Sequence, residues 1–209
     1  MNLAARMLET QIKPTGSVAQ RRCRLVVQAW CKRAMLDYVV AFQLEHLVTD
    51  RLFPLHQGIE KLCKAYLLAK HAAEWTHLTS ESERASWIEK FVKNGKHDLW
   101  VLVGRVAESV TQVSGYVSGD REKNFLDLLS MAYEEARYPK PIGQSIWDKH
   151  GFPALISDRN EKQAYGLGSS MLNAVESQFG ISCPLDQPID SGIELDDWRR
   201  FMNLRRAKN

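Results

Sequence analysis

HQGIEKLCKAYLLAK, residues His56 to Lys70, is the stretch on which the fold turns. Ile59, Leu62, Cys63, Tyr66 and Leu67 recur at steps of three and four, which places them on one face of a helix. Glu60, Lys61, Lys64 and Lys70 fall on what reads as the polar face, where Glu60 and Lys64 form an i,i+4 pair. Phe53-Pro54 opens the helix, because proline is tolerated in a first turn where its missing N–H leaves no bond unmade. The pattern fades over Ala73 to His77.

The same period continues on both sides. Upstream, Leu25, Val26, Ala29, Trp30, Tyr38, Ala41, Leu44 and Val48 predict a long helix over 18–50 with an inward face, bent or interrupted near Arg33. Downstream, Ser80-Glu81-Ser82-Glu83 caps a short helix holding Trp87, Ile88 and Phe91, and Asn94-Gly95 ends it. A third main helix runs from about His97 to Val113, a fourth from Asp120 to Arg137, and a last from about Asn160 to Phe179, stopped by Gly180. Pro139 and Pro141 end the fourth. No strand-like alternation persists, so helix packing on helix, an all-α bundle of about five main helices in antiparallel up-down order, is the expected architecture. Residues 1–20 read as an arm or short helix, 21–180 as the bundle, and 181–209 as an extension with a short helix around Trp198 and Met202.

Composition narrows the function classes. The chain has 209 residues, 44% hydrophobic and 25% charged, the balance of an ordinary globular protein. A net charge of +3 is milder than a dedicated nucleic-acid binder usually shows. Basic residues do cluster at Arg21, Arg22, Arg24, Lys32 and Arg33, and again at Arg199, Arg200, Arg205, Arg206 and Lys208. The four cysteines, Cys23, Cys31, Cys63 and Cys183, lack zinc or disulfide spacing. No metal, cofactor, secretory leader or membrane span is expected, and the cytoplasm is the expected location. Gly-rich phosphate loops, HExxH and GxSxG motifs do not occur.

Three phrases together carry a family signal: HQGIEKLCKAYLLAK, then KHDLWVLVGRV (Lys96 to Val106), then FLDLLSMAYEEARYPKP (Phe125 to Pro141). In this order and spacing the chain resembles the HEPN superfamily (higher eukaryotes and prokaryotes nucleotide-binding) over about three quarters of its length. The resemblance implies a HEPN-like helical bundle that binds nucleotide or RNA as a homodimer. It further implies a toxin–antitoxin or phage-defence setting with an antitoxin or nucleotidyltransferase partner. Candidate phosphate contacts are Lys61, Lys64, His97, Arg137 and Tyr138. Each has a plainer reading: a solvated face for the lysines, a helix start with an Asp98 cap beside His97, and a C-terminal cap for Arg137.

Many HEPN proteins are metal-independent ribonucleases in which four to six residues stand between an Arg and the His that follows it. After Arg137 the corresponding positions hold Ile142, Gly143 and Gln144. A displaced catalytic pair would be Arg137 with His150, or Arg51 with His56, the latter split by Pro54. The expectation is therefore a non-hydrolytic binding module, with a displaced-site ribonuclease or a structural dimerisation module using Trp30 and Trp100 as the alternatives.

Overall fold

The computed structural model describes residues 17–44, 51–94, 97–137 and 158–181. They form α1 (Val18–Gln43), α2 (Leu52–Lys70), α3 (Ala72–His77), α4 (Glu81–Asn94), α5 (Leu99–Ala107), α6 (Thr111–Ser114), α7 (Asp120–Arg137) and α8 (Asp158–Phe179), with no strand among the described residues. Local chemistry explains the ends. Ser17 and Gln20 make a reciprocal capping box on α1. Glu83 reaches back to the amides of Thr79 and Ser80 while the Ser80 hydroxyl accepts from Glu83 N, which starts α4 where the sequence places it. Asp98 accepts from Val101 N and caps α5. Gly180, at φ 60°, follows α8 in the left-handed conformation that halts a helix.

α2 is the centre of the bundle, touching α1, α5, α7 and α8. Lys61 on α2 meets Asp37 on α1, while Ala69 and Ala72 line a groove with Cys23 and Arg24. α1 and α2 are therefore antiparallel. Along α2, His97 pairs near Glu60 and Ser109 near Lys70, so α5 runs in the direction of α2. Cys63 meets Met171 and Tyr66 meets Gln178, so α8 runs that way too. α3 and α4 carry the chain back to the start of α2 before α5 begins. α7 ends there as well, since Ser130 accepts from Leu99 N.

Three details differ from the sequence reading. α1 passes Arg33 unbroken, as no proline or glycine interrupts it. Its buried face is Cys23, Val27, Cys31, Ala34, Met35, Tyr38, Val39 and Ala41, whereas Leu25 is 50% exposed and Ala29 is exposed. The small residues win this face because they let α1 lie close against α2, so all three described cysteines act as core packing. The expected helix over 97–113 divides into α5 and α6 around Glu108 to Val110. Trp30 and Trp100 are partly buried against the core.

Tyr38 sits at the closest approach of three helices. Its fully buried ring lies over Gly58 of α2 and Gly168 of α8, and its hydroxyl donates to the carbonyl of Ala164 at 3.2 Å. A Cβ at Gly168 would stand 2.5 Å from the Tyr38 oxygen, and one at Gly58 would stand 2.9 Å from Cε2. Neither glycine leaves room for a methyl group. Gly168→Ala is expected to destabilise the protein by about 1–3 kcal/mol in urea titration, as overpacking does. Gly104→Ala is the contrast: nothing lies within 4 Å of its Cβ position. That substitution is expected to stabilise by about 0.5–1 kcal/mol through helix propensity and lost chain entropy.

Candidate functional site

Glu60 is a carboxylate in the interior, 5% exposed on α2. A charge there demands partners. Lys64, one turn on and also 5% exposed, places its ammonium on Oε1. His97, immediately before α5, donates Nδ1–H to the same carboxylate at 3.0 and 3.1 Å. Burial pushes the Glu60 pKa up, but the hydrogen bonds from His97 and Lys64 and the Lys64 charge outweigh it and leave it below the usual value. The sequence reading put Glu60 and Lys64 on an exposed face. They are buried because the residues before α5 and the end of α7 cover that side of α2.

His97 is the outward member of the cluster. Its side chain is 47% exposed. With Nδ1 turned inward to Glu60, no described residue pairs with Nε2. Tyr133 of α7 supports the ring from below, with centroids 4.8 Å apart. Tyr133 also stacks on His56 at 4.2 Å and on Phe53 at 5.4 Å.

His56 lies behind them, fully buried. Its Nε2 donates to the carbonyl of His97 at 3.0 Å, which fixes the tautomer. Its Nδ1 has no hydrogen-bond partner among the described residues and lies 3.6 Å from Glu60 Oε2. Burial pushes the His56 pKa down to about 4, against the upward pull of its hydrogen bond to His97 and of the Glu60 charge. His56 is thus neutral at ordinary pH and props the backbone that carries His97.

The remaining candidates are more dispersed. Lys61 pairs with Asp37 at 2.6 Å on the α1 side, away from the His97 pair. Burial pushes the Asp37 carboxyl up despite the Lys61 hydrogen bond and the charges of Lys61 and Arg33. Arg51, 7% exposed, is the N-cap residue of α2, five residues before His56. Arg137 closes α7 one turn beyond Tyr133, and its side chain, like Tyr138, His150 and the tail of 182–209, lies outside the described residues. Glu60 and Tyr133 were missing from the sequence candidates. The signal that could have found them was there, since the three quoted phrases contain His56, Glu60 and Lys64, then His97, then Tyr133. Among the described residues no cluster of His, Cys, Asp and Glu is arranged to hold a metal ion, and no helix is long and apolar enough to cross a membrane.

Removing one partner from a buried pair leaves the other charge uncompensated. Lys64→Met is therefore expected to cost about 3–5 kcal/mol in urea titration, against about 1 kcal/mol or less for Lys61→Met at its more accessible pair. The pH dependence follows from His56. Its folded pKa of about 4 lies below the value near 6.5 of an unfolded histidine, so the unfolded state binds the extra proton between them. Stability is then full above about pH 6.5 and falls by up to about 3 kcal/mol as pH drops to 4. Glu60 adds its own loss only as pH falls below the ordinary carboxyl range, because its folded pKa is lowered. His56→Gln keeps a donor for the His97 carbonyl, and thermal melts of this variant are expected to be flat between pH 6.5 and 5.

Comparison with family models, with curated proteins and with solved structures finds no match to this chain.

Proposed function

We propose that this chain is a HEPN-like module that binds the phosphate of a nucleotide or RNA at the end of the bundle where α2, α5 and α7 meet. The observation that carries the proposal is convergence. Glu60 and Lys64 come from the first quoted phrase, His97 from the second and Tyr133 from the third, and they form one polar cluster. Residues from two helices and the segment before a third, joined in one half-open cluster, are the ordinary makings of a ligand site.

The cluster also narrows the contact residues. Lys61 and Lys64 already hold carboxylates, and Lys64 is buried. His97 is half-exposed, with a second ring nitrogen that no described residue pairs, and Arg137 follows Tyr133 by one helical turn. These two are the proposed phosphate contacts, and Tyr138, next to Arg137 in the sequence, is proposed with them. The resemblance extends the proposal to a homodimer and to a toxin–antitoxin or defence setting with an antitoxin or nucleotidyltransferase partner.

Fluorescence anisotropy with a labelled ten-nucleotide single-stranded RNA, competed with AMP and ATP, tests the reading. His97→Ala and Arg137→Ala are each expected to weaken RNA binding about ten-fold, the worth of one good contact to phosphate. Binding is also expected to weaken as salt rises. A wild-type protein that binds neither RNA nor nucleotide, or variants that bind as tightly as wild type, would overturn the assignment.

A further inference from the structure

We infer that the outer face of α1 is a docking seam for an acidic amphipathic helix of another protein. The inference goes beyond the phosphate site. The seam is on the side of α1 turned away from α2, whereas the polar cluster is on the side of α2 covered by α5 and α7, so each stands or falls without the other.

α1 is apolar on two opposite faces. Cys23, Val27, Cys31 and Ala34 form the buried face, where α2 and α3 pack on the helix. Half a turn round, Val18, Leu25, Ala29, Leu36 and Val40 follow one another at alternating steps of seven and four. At 3.6 residues per turn they fall in one stripe about 60° wide and about 33 Å long. Val18 is 56%, Leu25 50% and Val40 40% exposed, Ala29 is exposed and Leu36 is half-buried. Among the described residues the exposed large apolar side chains are these three with Val101 and Met131, so most of them lie on this one helix face. Single exposed apolar side chains are ordinary on a protein surface, but a line of them marks an interaction surface. A helix that is apolar on both sides is built to be covered on both.

Width and charge select what covers it. The stripe is the narrow kind that pairs with a single helix, not the broader apolar face that a helix lays on a core or a lipid surface. Arg21 and Lys32 border it on one edge, Arg22 and Arg33 on the other. Arg22 already pairs with Glu81 of α4, and the one carboxylate of α1, Asp37, is held by Lys61. No ion pair with a described residue occupies Arg21, Lys32 or Arg33. In paired helices the charges that flank the apolar seam choose the partner. A second copy of this chain would set cations beside cations, which disfavours that pairing. RNA would meet the cations and leave Leu25 and Val40 in water. A helix of about six turns, with an apolar stripe edged by Asp and Glu, satisfies both the stripe and its borders.

The test uses the full chain and fluorescence anisotropy with two labelled peptides of about 28 residues. Both carry leucine at heptad positions a and d, and they differ in having Glu or Lys at e and g. The acidic peptide is expected to bind at least about ten-fold more tightly than the basic one. Leu25→Glu, at an exposed position, is expected to melt like wild type and to weaken the acidic peptide at least about ten-fold, and Val40→Glu reads the same seam where Leu25→Glu does not fold. Arg21→Glu with Arg33→Glu is expected to reverse the preference between the peptides. Failure to bind either peptide, equal binding of both, or seam variants that bind like wild type overturn the inference. Sedimentation velocity and flotation with phosphatidylcholine–phosphatidylserine vesicles address the other occupants. Self-association or vesicle binding that Leu25→Glu abolishes gives the seam to a second copy or to a membrane, and either result overturns the partner inferred here. RNA binding that fails while the peptide preference holds overturns the phosphate site and leaves the seam standing.

Discussion

The buried charge of Glu60 is the constraint around which this bundle is arranged. A carboxylate taken out of water must be met by donors from every direction it faces. Lys64 answers from the same helix, His97 from the segment before α5, and the weaker contact of Gln57 from the preceding turn. The helix pairings α2–α5 and α2–α7 are therefore more than apolar packing. They close over a charge, and they are correct only when His97 and Tyr133 arrive together.

This arrangement separates roles among residues of similar kind. Two histidines lie beside one carboxylate, yet one is fully buried and neutral while the other is half-exposed. Two lysines three residues apart face different partners, Asp37 on α1 for Lys61 and Glu60 for Lys64. Environment assigns the task in each case, and the residue type only sets the range of tasks available.

How much was legible beforehand follows the reach of each signal. The limits of α7 and α8, the Asp98 cap, the Glu83 capping box and the stop at Gly180 are written in residues within one or two turns of where they act, and the sequence reading placed them well. The inward face of α1 was misjudged because Leu25 outweighs Cys23 and Cys31 on any hydrophobicity ranking, whereas close helix approach favours the smaller side chains. The burial of Glu60 and Lys64 was invisible for a related reason. An i,i+4 Glu–Lys pair has the same spacing on a wet face and under a lid, and only the elements that pack over it decide between them. The candidate site was half legible: its histidines and lysines were singled out, but the carboxylate that joins them was read as solvated.

The Tyr38 ring, lodged over Gly58 and Gly168, acts as a key that sets the register of α1, α2 and α8. Translating either glycine-bearing helix by one residue, about 1.5 Å of rise, would bring a side chain into the space the ring occupies. Sliding is thereby blocked along both contacts at once. Glu60 lies only two residues beyond Gly58, so the depth at which its carboxylate sits is inherited from that lock. The alignment of the polar cluster is then a matter of shape as much as of charge, determined on the opposite side of α2 by an aromatic ring that never touches it.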